Sequence, residues 1–84
     1  MYYVYVLLSK KDDQFYTGFT KDIEIRFRQH FNGEVTSTRN RRPLELVYFE
    51  ASSNINDAVH REKYLKTTYG KRYIRNRLKN FMNE

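Results

Sequence analysis

Cysteine is absent from the 84 residues, which excludes disulfides and any cysteine-ligated zinc site. Histidine occurs only at positions 30 and 60, too few for a histidine-rich metal centre. The three glycines stand apart at 18, 33 and 70, so there is no glycine-rich phosphate loop. No apolar run approaches the ~20 residues of a membrane span. Met1-Tyr2-Tyr3-Val4 has no basic region ahead of its short apolar run. A secretory signal peptide is therefore not expected, and the cytoplasm is the expected compartment, with no membrane partner. Internal repeats and low-complexity linkers are missing, and the length fits one small domain, residues 1–84.

What the chain does have is aromatic residues and positive charge. Eight Tyr and six Phe are the material for a compact core in so short a chain. The net charge is +6 and it is uneven. Lys71, Arg72, Arg75, Arg77 and Lys79 face Glu84 alone in the last fourteen residues, a net +4. A basic end suits phosphate as a partner, and it also serves solubility.

The stretch from Tyr3 to Gly18 organises the rest. Tyr3-Val4-Tyr5-Val6-Leu7-Leu8 and Phe15-Tyr16-Thr17-Gly18-Phe19 have strand composition, and Lys10–Asp13 between them reads as a hairpin loop. Alternation places Tyr3, Tyr5 and Leu7 on one face, and pairing of the arms brings Tyr5 and Tyr16 to the same face. A helix is expected next, capped by Thr20 or Asp22 and stopped by Gly33. Its buried stripe is Ile23, Phe27 and Phe31. Arg26 and His30 fall beside that stripe, whereas Arg28 and Gln29 read as solvent-facing. Taken singly, Arg26 is a stem lying over apolar surface with its head in water, and His30 a histidine at the core edge. Together, opposite two strand tyrosines, they form a site candidate.

Residues 34–43, with small hydroxyl residues and a closing Pro43, read as a loop. Arg39, Arg41 and Arg42 make it either a solvated loop or a phosphate-contacting one, with phosphate contact favoured. Leu44–Glu50 is the third strand. Leu44, Leu46 and Tyr48 are expected on one face and Val47 and Phe49 on the other, which suggests a central strand. Asn54 caps a second helix expected over Ile55–Tyr69 and ended by Gly70, with a stripe of Ile55, Ala58, Val59, Leu65 and Tyr69. Glu62 interrupts that stripe. A carboxylate there needs a partner, either an arginine or a metal ion. His60 and Lys63 lie off the stripe, at the surface. Lys71–Met82 reads as a basic amphipathic helix that packs Ile74, Leu78 and Phe81 and leaves Arg72 and Arg75 free for a nucleic-acid backbone.

Tyr3-Val4-Tyr5 followed by Tyr16-Thr17-Gly18 resembles the paired motif of GIY-YIG nucleases, and the resemblance covers essentially the whole chain. Tyr3 stands where that motif has glycine, and Val4 and Thr17 where it has isoleucine. Arg26 and His30 match the family's arginine and the histidine one turn later. Arg61-Glu62-Lys63 resembles the helix that carries the family's single metal-binding glutamate. The expected fold is α+β, a three-stranded antiparallel sheet flanked by helices in the order β-β-α-β-α-α.

The resemblance implies a metal-dependent endonuclease hydrolysing nucleic-acid phosphodiesters, with DNA favoured over RNA as substrate. One Mg²⁺ or Mn²⁺ would be held by Glu62, and Tyr5, Tyr16, Arg26, His30 and Glu62 would be catalytic. Phosphodiester hydrolysis needs a placed water, a proton acceptor and charge neutralisation. Arg26 suits the nonbridging oxygens, Tyr5 the water's proton and Tyr16 the water's position. The alternative is a non-catalytic nucleic-acid-binding module on the same fold. In a chain this short, selectivity would come from the Arg39–Arg42 loop, the last helix, a homodimer or a partner protein.

Overall fold

A computed structural model describes residues 1–84. Its elements are β1 (Tyr2–Ser9), β2 (Phe15–Thr20), α1 (Ile23–Phe31), a 3-10 turn (Arg39–Arg41), β3 (Leu44–Ser52), α2 (Ile55–Leu65), α3 (Thr68–Arg77) and α4 (Lys79–Met82). The strands form one antiparallel sheet in the order β2-β1-β3. This is the expected α+β architecture with one more helix than the sequence suggested.

β1 is the axis of the molecule because its residues are apolar on both faces, and Val4 through Ser9 are all buried. Val4 and Val6 pack against Ala58 and Leu65 of α2 and Ile74 of α3. Tyr5 and Leu7, on the opposite face, pack with Leu44, and Tyr16, Ile23, Phe27 and Leu46 surround them. Each fully buried Val, Leu or Ile contributes roughly 1.5–3 kcal/mol, so both helical layers are needed to hold the strand.

β3 corrects the expectation of a central strand. It lies at an edge, because β1 takes the middle position, and Phe49 is 50% exposed. Its alternation also breaks. The register passes from Val6↔Tyr48 to Leu7↔Leu46, leaving Val47 as an extra residue. Such a bulge reverses the faces beyond it. Tyr48 therefore packs with Val47 against the Val4–Val6 side, while Leu44 and Leu46 stay on the Tyr5 side.

Asp22 caps α1 by accepting a hydrogen bond from Ile25 N at 3.1 Å, and Gly33 follows the helix with φ +79°. Phe31, expected in the buried stripe, is 60% exposed; the one fully buried residue of α1 is His30. α2 stops at Leu65, short of Tyr69. The Thr67 hydroxyl donates to Tyr64 O at 2.6 Å and accepts from Gly70 N at 3.1 Å, so one side chain ends α2 and caps α3. Gly70 lies inside α3 and does not terminate a helix. A Cβ there would overlap the Tyr64 carbonyl oxygen and Leu65 Cα, so glycine lets α3 close on the end of α2. Ile55 and Tyr69, expected in the stripe, are exposed. The basic segment breaks at Leu78 between α3 and α4. No helix is long and apolar enough to cross a membrane.

Candidate active site

The register pairs Leu7 with Tyr16 and Tyr5 with Gly18, which sets both tyrosines on the α1 side of the sheet. Gly18 makes room there. A Cβ at this position would overlap Oη and Cζ of Tyr5 and come within 2.9 Å of its Cε2. The glycine is thus required by the close passage of the Tyr5 ring.

α1 lays Arg26 and His30 over these rings. His30 Nε2 is hydrogen-bonded to Tyr5 Oη across 2.7 Å, and its Nδ1 to Thr38 Oγ1 across 2.7 Å. Tyr5, His30 and Thr38 are all buried. The His30 ring meets Tyr5 and Tyr16 edge-on, with centroids 5.5 and 5.3 Å apart. Arg26 Nη1 donates to Gln29 Oε1 at 2.9 Å, and Ser37 Oγ donates to Tyr16 Oη at 3.3 Å. Gln29 is thus half-buried and orients Arg26, contrary to the expectation of a solvent-facing residue. Thr38 and Ser37 are site residues that sequence reasoning missed.

Burial and charge act together on these groups. Burial pushes the Tyr5 phenol above its usual 10, and Arg26 opposes it by hydrogen bonding and positive charge. The Glu62 charge adds slightly to the rise, although α2, which carries Glu62, packs on the Val4–Val6 face, opposite the two tyrosines. Burial, then the Arg26 charge, lowers the His30 imidazole from 6.5 to about 4, so it is neutral at pH 7.

Glu62 has neither an arginine nor another carboxylate as partner. Its Oε2 lies 3.1 Å from Lys66 Nζ, one turn on, with the Glu62 side chain 20% and Lys66 56% exposed. The chain gathers no group of three or more His, Asp or Glu side chains. A lone, partly open carboxylate suits Mg²⁺ or Mn²⁺, hard ions that keep several waters and share phosphate oxygens with substrate. It does not suit a fully protein-ligated metal. The donor set therefore fits one divalent ion, which would compete with Lys66 for Glu62.

The basic residues divide. Arg41 Nε and Nη2 bind Asp12 at 2.7 and 3.3 Å, and Nη2 also donates to Gln14 O, so Arg41 ties the hairpin loop to the 3-10 turn. This bridge holds the Asp12 carboxyl down at about 2. Arg39 and Arg42 remain exposed, around an open groove with Lys11. Lys71, Arg72 and Arg75 line another groove on α3, and Lys71 also joins Lys66 and Tyr16 around a hollow of about 210 Å³. That hollow opens on the Val6–Leu65–Ile74 face of the sheet. Arg61 serves the core, paired with Glu50 at 2.8 Å and lying over the Tyr64 and Tyr73 rings.

The sequence model described as the GIY-YIG catalytic domain matches residues 1–79. The chain belongs to the GIY-YIG family. A UPF0213 protein of Clostridium perfringens is 46% identical over 67 residues, spanning 79% of this chain and 71% of that protein. One of Haloquadratum walsbyi is 40% identical, with 79% and 74% covered. The solution NMR structure of a UPF0213 protein from Bacillus halodurans superposes with a TM-score of 0.55 at 33% identity, covering 88% of this chain and 82% of that one. The GIY-YIG fold is thus reached by the family model, by relatives and by a solved structure.

Proposed function

We propose that this GIY-YIG protein is a metal-dependent endonuclease acting on phosphodiester bonds of nucleic acid, DNA before RNA, as a single domain of the cytoplasm. The observation that carries this reading is the meeting of Tyr5, Tyr16, Arg26 and His30 on one sheet face. Arg26 has the shape to grip two nonbridging phosphate oxygens with parallel donors, and Gln29 Oε1 holds its Nη1 in place. Tyr5 takes the proton of the attacking water. Tyr16, tethered by Ser37, fixes where that water sits. His30 holds the Tyr5 hydroxyl from behind. A phenol raised by burial is a poor base at pH 7, so Arg26 and His30 must favour its ionised form. Held by Glu62, a divalent ion when bound supplies Lewis-acid stabilisation of the charge developing on phosphate. Arg72, Arg75, Arg39 and Arg42 carry the flanking strand by its backbone phosphates.

The Glu62–Lys66 pair favours a second reading, a binding module in which an ammonium permanently holds the carboxylate. The test is cleavage of a panel of single-stranded, duplex and branched DNA and RNA with Mg²⁺, Mn²⁺ or EDTA, comparing wild type with Glu62→Ala. Metal-dependent products from wild type alone support the nuclease. Binding without product from any substrate supports the module. Gel filtration of the same samples, alone and with nucleic acid, shows whether a homodimer forms.

A further inference from the structure

Thr38 sits between exposed Ser37 and Arg39, yet its side chain is fully buried. Its hydroxyl has one hydrogen-bond partner, His30 Nδ1, at 2.7 Å. The second ring nitrogen reaches Tyr5 Oη, also at 2.7 Å. Thr38, His30 and Tyr5 therefore form an unbroken buried line that ends at the candidate base.

A neutral imidazole has one donor and one acceptor nitrogen, so the line can run in two directions. Thr38 and the charge state of Tyr5 decide between them. If Nδ1 carried the ring hydrogen, the Thr38 proton would be buried with no acceptor, which buried hydroxyls avoid. If Thr38 donates to Nδ1, its proton is satisfied and the ring hydrogen must be on Nε2. Nε2–H then donates to the Tyr5 oxygen. Tyr5 is itself buried and its hydroxyl has no partner but His30, so the line runs this way when the phenol has lost its proton and accepts from Nε2–H. The positive charge of Arg26 favours the same phenolate.

We propose that Thr38 is a positioning residue of this site: its hydroxyl donates to His30 Nδ1, which fixes the hydrogen on Nε2 and aims it at the Tyr5 oxygen. This rests on the reading of Tyr5 as the group that takes the water's proton. Donors on the phenol oxygen favour the phenolate and oppose the burial that disfavours it. In the step itself, the Tyr5 phenolate takes a proton from water as the water oxygen bonds to phosphorus. The bond from phosphorus to the leaving oxygen breaks with its electron pair, and that oxygen takes a proton from solvent. Tyr5 then returns its proton to solvent.

The test uses protein labelled with ¹⁵N-histidine, free of nucleic acid and metal, in a multiple-bond ¹H–¹⁵N spectrum at pH 7.5, with exposed His60 as internal reference. Wild type should show His30 with hydrogen on Nε2 and a bare, hydrogen-bonded Nδ1. In Thr38→Val the Nδ1 resonance should move as its donor is removed, and Thr38→Ser should restore it. In the cleavage assay Thr38→Val should lower kcat about ten- to hundredfold with KM unmoved, as loss of an outer-shell partner does for metal-bound histidines, and Thr38→Ser should recover it. A wild-type spectrum with hydrogen on Nδ1 overturns the proposal, and does so even if Thr38→Val fails to fold. A folded Thr38→Val with an unmoved Nδ1 resonance also overturns it. Cleavage by wild type together with either spectrum removes the Thr38 role alone. The expected spectrum with no cleavage of any substrate removes the nuclease reading, and the positioning role with it.

Discussion

Replacing Glu62 by Gln separates chemistry from folding. The substitution keeps the shape of the side chain and removes the charge that would hold a cation. Its structural cost can be worked from the Lys66 pair: an i,i+4 contact at 3.1 Å in which Lys66 is 56% exposed. Such pairs are worth about 0.3–0.5 kcal/mol, and solvent screening keeps them there. For a domain of this size that corresponds to a fall in Tm of roughly 1–4 °C. The catalytic cost should be far larger. Lewis-acid stabilisation is worth several kcal/mol, and each ~1.4 kcal/mol is tenfold in rate, so cleavage should drop by about two to three orders of magnitude. Oligonucleotide affinity should hold or tighten, because a negative charge near phosphate has gone. The assay is thermal melting of wild type and Glu62→Gln with and without Mg²⁺, beside single-turnover cleavage. A variant that melts more than about 10 °C lower, well beyond the cost of an exposed pair, but cleaves at the wild-type rate would refute the assignment of Glu62 to the cation.

His30 predicts an acid-labile fold. Its folded value of about 4 lies below the ordinary 6.5, so the unfolded chain binds the extra proton between those values. Stability should fall by on the order of 3 kcal/mol as pH drops from 6.5 to 4, a component that urea titrations of His30→Gln should lack; equal pH slopes in the two proteins would contradict it. Gly18→Ala should cost roughly 1–3 kcal/mol by overpacking against the Tyr5 ring and should suppress cleavage beyond its effect on Tm; crystallography of a variant with Tyr5 unmoved would rule the clash out. Arg72→Ala with Arg75→Ala, or Arg39→Ala with Arg42→Ala, should flatten the log-affinity versus log-salt slope by about 0.7–0.9 for each phosphate no longer neutralised. Arg41→Ala should leave that slope alone and loosen the hairpin loop instead, seen as faster amide exchange at residues 10–14.

The parts of the site that depend on local periodicity were legible in the sequence. Tyr5 and Tyr16 follow from a period of two and a short loop, and Arg26 and His30 follow from steps of three and four on one helix. The edge position of β3 was not legible, because a buried strand and a half-covered one share the same apolar run. A single extra residue at Val47 then reversed the faces of its outer half. Thr67 was hidden for another reason. Its hydroxyl closes one helix and opens the next, whereas Gly70, the more conspicuous punctuation, serves close approach of two helices. Thr38 and Ser37 reach the site only through the path of the loop after α1, which no local spacing encodes. Lys66 lies at plain i,i+4 spacing from Glu62, a partner as ordinary on a helix surface as arginine or metal would be unusual.

The most direct measurement of the central claim is cleavage by the wild-type protein of a labelled oligonucleotide panel, DNA and RNA, with Mg²⁺ or Mn²⁺ and with EDTA, with Tyr5→Phe run alongside. The account predicts discrete products from wild type with metal, none with EDTA, and none from a folded Tyr5→Phe that still binds the substrate. Products that persist in EDTA or in Tyr5→Phe would contradict it, as would a folded wild type that binds nucleic acid and cuts none of it with either metal.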